Sequence, residues 1–417
     1  MPALKTEVIN TGSELLLGQV VNTHAAWLGR ELFGLGLRID RQVTVPDGPE
    51  IRTALVEALD RARLIIVTGG LGPTSDDITR EVAAELMGRP LEHNQAILDD
   101  IHGKFRRRGS LPTLSVTREA QVPRGAVVLP NAVGTAPGLV LEENGKIVVL
   151  LPGPPRELKP MWTDAFLPWL RKRVKVAPLH QRNWSIVGIG ESKVAAMIED
   201  EVRALGELEI GYCARPGEVD FRLISTDPGI LDAASALVTA KFGDAIATTG
   251  GETLEEHVIR VATEKKLKIA TAESCTGGLI AHRLTNVPGA SQVFQFGWVT
   301  YSNAAKTADL DVPAELFAPG GPGAVSEETA RAMAEGARAR SWAEIAVSVT
   351  GIAGPDGGTP EKPVGTAWFG LSSVHGTQAI KKNLSTDRET FKNMAAQTAL
   401  DLLRRELHTF ARIETSV

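Results

Sequence analysis

The sequence predicts an α/β protein: a doubly wound sheet, then a small α+β unit, then a second α/β unit. Three observations carry this reading. Up to residue 171, apolar runs alternate with amphipathic stretches. Over 172–250 the order becomes strand, helix, two strands, helix, strand. Over 251–417 a helix, a strand and a glycine-rich turn open a segment that closes on a long amphipathic helix, Arg388–Leu407.

In the first segment the apolar runs are Val8–Ile9, Val43–Val45, Leu64–Val67, Val127–Leu129 and Val148–Leu151. Asn22–Leu35 and Glu50–Arg61 carry apolar residues at helical spacing between them, so parallel βαβ units are expected. In the second segment Trp184–Val187 reads as a strand and Glu191–Leu205 as a helix. Glu209–Arg215 and Glu218–Ser225 form a hairpin around Pro216–Gly217, followed by a helix, Leu231–Phe242, and a strand, Ala245–Thr248. This β-α-β-β-α-β order suits a ferredoxin-like or KH-like unit. Gly188-Ile-Gly190-Glu is not a GxxG clamp, so a spacer or dimerisation role is read there rather than RNA binding. In the third segment the first strand is Leu267–Ala272. Residues 318–323 and 354–363 are rich in glycine and proline and read as mobile loops.

Bulk composition narrows the function classes. A chain of 417 residues with 43% hydrophobic and 23% charged residues is that of an ordinary globular protein. A net charge of −5 disfavours a dedicated nucleic-acid binder, so no direct nucleic-acid partner is expected. Arg106–Arg108 and Arg171–Arg173 are short runs that read as solvated helix ends. Two cysteines far apart, Cys213 and Cys275, offer neither a disulfide framework nor a metal pair. No signal pattern opens the chain, and no apolar run approaches the ~20 residues of a membrane span. A reducing, cytoplasmic location without membrane attachment is expected, and multi-domain α/β enzymes of this size favour a homodimer.

The sharpest chemical signal is Ala272-Glu-Ser274-Cys-Thr276-Gly277-Gly278, between a strand and an amphipathic helix, Leu279–Leu284. A residue at such a turn projects its side chain, and backbone N–H groups at the helix start can hold an oxyanion. A thiol nucleophile at Cys275 would need a nearby cation, and the nearest histidine in sequence, His282, lies inside the following helix. A serine needs a base. Tyr301-Ser302-Asn303-Ala-Ala-Lys306 supplies two candidates, since a buried lysine can act as a neutral base and Tyr301 can relay or orient the proton. The alternative is that Ser274 and Thr276 cap a helix and Lys306 is a surface lysine. Thr350-Gly351-Ile-Ala-Gly354-Pro follows a buried strand and reads either as a phosphate or ribose contact or as a tight turn. Arg388 reads either as a bidentate phosphate ligand or as a solvated residue.

In the first segment, Gly69-Gly70-Leu71-Gly72-Pro73-Thr-Ser-Asp76-Asp77 lies between a strand and the helix Ile78–Met87. Its glycines can cradle a phosphate on backbone N–H groups. Asp77 either caps the helix or binds a hard cation, with Asp47 at another strand end as its partner. Glu14 in the loop Gly12–Gly18, Gly134 and Thr135 in Asn131–Gly138, and the loop Leu151–Glu157 add to the same sheet edge.

The motifs Ala-Glu-Ser-Cys-Thr-Gly-Gly, Val-Thr-Tyr-Ser-Asn-x-x-Lys and Thr-Gly-Ile-Ala-Gly-Pro together resemble the CinA (competence/damage-inducible) family over the whole chain. The resemblance implies a C-terminal nicotinamide-nucleotide amidase that hydrolyses nicotinamide mononucleotide to nicotinate mononucleotide and ammonia without a metal. It carries Ser274, Tyr301, Lys306 and Arg388 into functional positions, with Ser302, Asn303 and Thr350 as substrate contacts. The first segment resembles the MogA/MoaB-like molybdopterin-binding fold on Gly69, Gly70, Gly72, Pro73, Asp77 and Asp47. Leu71 stands where the molybdopterin proteins commonly carry threonine, which points away from a pterin ligand. In CinA-type proteins this domain implies an ADP-ribose pyrophosphatase using Mg²⁺ or a similar cation. A molybdopterin-type cofactor-binding protein and a competence-related partner protein are the competing readings.

Overall fold

The computed structural model describes residues 4–410, which divide at Leu179/His180 into two compact units. The first unit holds a six-stranded sheet in the spatial order Arg41–Val45, Thr6–Thr11, Leu64–Thr68, Lys146–Leu151, Gly138–Glu143, Val127–Leu129. The first four strands are parallel. Alternate residues of each strand enter opposite cores, as the pleat requires. Ile9, Ile65 and Val67 pack on Leu55, Val82 and Ile101. Val8, Leu64 and Ile66 pack on Leu28, Leu32 and Trp162. The helices His24–Phe33, Glu50–Arg61, Thr79–Leu86 and Gln95–Arg107, with the helical run 155–171, thus cover both faces.

The last two strands depart from the all-parallel expectation. Gly138–Glu143 pairs antiparallel with Lys146–Leu151, and Val127–Leu129 pairs antiparallel with Gly138–Glu143. The cause is local. Asn144 and Gly145 both sit at positive φ, 48° and 72°, which closes a two-residue hairpin, and a hairpin joins only antiparallel strands.

The second unit contains two sheets. The smaller runs Glu209–Arg215, Glu218–Ser225, His180–Val187, Ile246–Thr249, all antiparallel. This is the split β-α-β order, with the helices Glu191–Arg203 and Pro228–Phe242 packed on Trp184, Ile186 and Phe221. The larger runs Phe294–Val299, Ile269–Glu273, Ile345–Gly351, Thr366–Ser373, Gly376–Asn383. Its first three strands are parallel and its last two form an antiparallel hairpin. One face is covered by the helices Leu254–Lys265, Leu279–Thr285 and Arg388–Thr409 over Val347, Val349 and Phe369. The other is covered by Asn303–Leu310 and Glu327–Ser341 over Ala270, Ala272 and Ala346. Gln397 in the last helix donates to Glu218 at 2.6 Å and Arg404 to the Asp244 carbonyl at 2.8 Å, so both sheets belong to one body. Among the described residues no helix is long and apolar enough to cross a membrane.

The small side chains on the second face let two helices meet backbone to backbone. A Cβ added at Gly336 would lie 1.9 Å from the Leu310 carbonyl oxygen, at the end of the helix that carries Lys306. Alanine in place of a helix-interior glycine normally stabilises by roughly 0.5–1 kcal/mol. Here the sign reverses. Gly336→Ala is expected to destabilise by about 1–3 kcal/mol through overpacking, read as a lower midpoint in thermal or urea denaturation. An unchanged or higher midpoint would refute this account of the contact.

Candidate functional site

The strand Ile269–Glu273 ends at Ser274, whose N–H donates to the Val349 carbonyl of the neighbouring strand at 3.0 Å. Gly277 and Gly278 take positive φ, 62° and 93°, and turn the chain into the helix Leu279–Thr285. Lys306 reaches Ser274 from the helix Asn303–Leu310. Its Nζ lies 3.0 Å from Ser274 Oγ and donates to the Thr300 carbonyl at 2.8 Å. The lysine is 1% exposed. Burial lowers its pKa below the ordinary lysine value, against a smaller opposing effect of the Cys275 thiol. Burial acts oppositely on the neighbouring thiol. Cys275 is pushed up to about 12 by desolvation, aided by the charge of Glu273. His282 contacts Asn286 at 3.2 Å. The geometry therefore couples Ser274, not Cys275, to a base.

Glu273, which the sequence reading left without a role, is fully buried. Its carboxylate accepts from Thr276 Oγ1 at 2.7 Å and from the N–H groups of Gly278, Ile280 and Ala281 at 3.0, 3.1 and 2.8 Å. It thereby satisfies the helix start that glutamate at this spacing does not announce in sequence. One expectation is corrected here. The Gly278 N–H serves Glu273, and the Gly277 N–H donates to the Ser274 carbonyl at 3.1 Å, so neither is left for an oxyanion.

The other predicted residues divide between rim and scaffold. Arg388 donates from one nitrogen to the Tyr301 hydroxyl and from the other to the Gly354 carbonyl, both at 2.8 Å. Tyr301 is 61% exposed, and its hydroxyl meets Arg388 instead of forming the proton relay to Lys306 that the sequence reading offered. Ser302 caps the Lys306 helix by accepting from the Ala305 N–H at 3.1 Å, and Asn303 is exposed on its first turn. Thr350 is buried and donates to the Ala324 carbonyl at 2.7 Å. Gly351 is required by packing, since a Cβ there would meet the Thr366 carbonyl oxygen and Phe391, each at 2.9 Å.

In the first unit, Glu14, Asp47, Gly69, Gly70, Gly72, Pro73, Asp77, Gly134 and Thr135 all line one cavity of about 480 Å³. It lies beyond the carboxyl ends of the parallel strands, where open α/β sheets bind ligands. Close approach dictates several of these glycines, Gly69 and Gly134 among them. A Cβ at Gly69 would lie 2.4 Å from Thr11 Oγ1, and one at Gly134 would lie 1.9 Å from Glu157 Oε2. Asp47 accepts from the Ser13 N–H at 3.1 Å, tying its loop to the one after the first strand, and Asp77 accepts from the Thr74 N–H at 3.0 Å within its own loop. Among the described residues no group of three His, Cys, Asp or Glu side chains is spaced to hold a metal. Two carboxylates fit a hard cation only if water and ligand phosphates complete its shell, which is the usual manner of Mg²⁺.

Glu119 is the member of this cavity that sequence reasoning missed. Glu119 is 1% exposed and its Oε2 has no partner among the described residues. Burial pushes its pKa up to about 7; the Thr135 hydrogen bond and Arg80 pull it down, and Asp77 and Glu157 push it up. Glu157 accepts from Asn131 at 2.8 Å, fixing the loop that carries Gly134.

Comparison with known proteins follows this division of the chain. Residues 7–172 match the family model of a probable molybdopterin binding domain, 181–241 that of the damage-inducible protein CinA KH domain, and 251–407 that of the CinA C-terminal domain. A CinA-like protein of Akkermansia muciniphila is 46% identical over 96% of this chain and 97% of its own length. One of Gemmatimonas aurantiaca is 42% identical over 97% and 96%. The crystal structure of a competence/damage inducible protein from Agrobacterium tumefaciens is 41% identical, covering 37% of this chain and 95% of its own, with a TM-score of 0.35. With its three domains matched in order and full-length relatives above 40% identity, the chain belongs to the CinA family.

Proposed function

We propose that the C-terminal site is a serine–lysine amidase acting on nicotinamide mononucleotide, and that the N-terminal cavity is a cation-dependent ADP-ribose pyrophosphatase. The observation that carries the first reading is a buried lysine amine 3.0 Å from a serine hydroxyl, with its pKa lowered. Neutral Lys306 takes the Ser274 proton as Oγ attacks the carboxamide carbon. The ammonium form then returns that proton to the departing nitrogen, and ammonia leaves. Water, deprotonated by the same amine, opens the acyl-serine and releases the acid. A cytoplasmic setting agrees with both nucleotide substrates.

The second reading rests on glycine-lined loops and two carboxylates facing one cavity. When bound, a divalent cation would neutralise diphosphate charge and polarise the phosphorus centre. Asp47 and Asp77 would hold it, and the backbone of Gly69–Gly72 would receive the phosphates. The match to a molybdopterin-binding model keeps a pterin ligand as the competing reading. Tight pterin binding without ADP-ribose turnover would favour that alternative. Leu71 speaks against it, since its side chain is committed to the hydrophobic core.

Ser274→Ala is expected to lower ammonia release from nicotinamide mononucleotide at least about a thousandfold with unchanged circular dichroism, while the wild type resists chelators. Full activity in the variant would end the serine mechanism. Because the neutral amine is the active form, the rate should climb with pH through the lowered Lys306 pKa to a plateau, and fall as the amine protonates below it. Lys306→Arg, charged at every accessible pH, should be inactive throughout; a pH-independent wild-type rate would contradict the assignment. For the N-terminal cavity, Asp47→Ala and Asp77→Ala should each abolish cation-dependent ADP-ribose hydrolysis without touching ammonia release. Retained hydrolysis in both would overturn the cation site.

A further inference from the structure

The helix that carries Arg388 presents a second cation to the Ser274 site. Lys392 stands four residues further on, hence on the same helix face and about 6 Å along the axis. Its Nζ lies 3.8 Å from where a Cβ would sit on Gly277, the residue that turns the chain away from the nucleophile. Lys392 is only partly exposed, and it makes no hydrogen bond or ion pair among the described residues. The nearby acid, Glu273, is enclosed by four donors of its own turn and helix. Arg388 likewise has only neutral partners, the Tyr301 hydroxyl and the Gly354 carbonyl.

Two like charges at this spacing repel. Among the described residues neither cation is bonded to a carboxylate; Arg388 reaches the loop at Gly354, and Lys392 stands beside the Ser274 turn at Gly277. That arrangement is complementary to an anion on the substrate rather than to the uncharged amide itself. We infer that Lys392 seats the anionic phosphate of the substrate beside Arg388, and that it is the residue by which the site distinguishes a mononucleotide from the corresponding uncharged nucleoside. The inference rests on the amidase reading for the identity of the substrate, but the anion seat itself does not require turnover.

The test therefore measures binding first. Nicotinamide mononucleotide and nicotinamide riboside are titrated calorimetrically into Ser274→Ala and into Ser274→Ala/Lys392→Ala, with thermal midpoints as the check on folding. The expected result is a loss of about tenfold or more in affinity for the mononucleotide, no change for the riboside, and recovery of most of the loss in Ser274→Ala/Lys392→Arg. Equal losses for both ligands would overturn the inference, since Lys392 would then serve the shared nicotinamide–ribose portion or the fold. Unchanged mononucleotide affinity would also overturn it. If the wild type released no ammonia, the amidase reading would fall. A Lys392-dependent affinity for the mononucleotide over the riboside would still stand as an anion seat, and its absence would remove that too.

Discussion

The buried carboxylate of Glu273 is the constraint on which the C-terminal site depends. A desolvated carboxylate is costly unless fully hydrogen-bonded, and a helix N-terminus buried without acceptors is costly for the opposite reason. At Glu273 each need answers the other, because three backbone N–H groups and the Thr276 hydroxyl converge on it. The helix dipole adds to the attraction. The same residue's carbonyl accepts from the Thr300 N–H at 2.9 Å, and the Thr300 carbonyl in turn accepts from Lys306. A continuous chain of bonds thus runs from the helix cap to the base, and Ser274 Oγ is fixed between them.

That enclosure also decides which neighbour of the turn is reactive. Desolvation penalises the charged form of any group, so it lowers the pKa of the lysine amine and raises that of the cysteine thiol. One burial therefore readies the base and silences the competing nucleophile. A site with the same residues in a wet cleft would do neither.

Sequence reading reached the parts of this arrangement that local pattern encodes. Ser274 at a strand-to-helix turn and the glycine loops at one sheet edge follow from short-range rules, and the structure brings each set together; Ser302, expected as a substrate contact, caps the helix that carries Lys306. What it missed depends on distant partners. Glu273 and Glu119 look like ordinary solvated glutamates because nothing within a few residues reveals what will cover them. Tyr301 was read as a relay because it precedes Lys306 closely; the partner that turns its hydroxyl outward is Arg388, 87 residues away. The antiparallel end of the first sheet had a local signal, Asn144-Gly145, but the strand it joins, Gly138–Glu143, went unread, so the hairpin did too.

The two proposed sites differ in the sign of the charge they present. Beside Ser274 the protein supplies the positive charge itself, in Arg388 and Lys392, and leaves both without acidic partners. The N-terminal cavity is lined by Glu14, Asp47, Asp76, Asp77, Glu119 and Glu157, against Arg108 and Arg156. A diphosphate entering that excess of acid meets repulsion that backbone N–H groups at glycine loops offset only in part. A divalent cation reverses the local sign and gives the carboxylates a partner at the same time. Charge balance thus separates the two proposed chemistries: a cation would help the acid-rich cavity admit an anionic ligand, and the lysine site carries positive charge within its own chain.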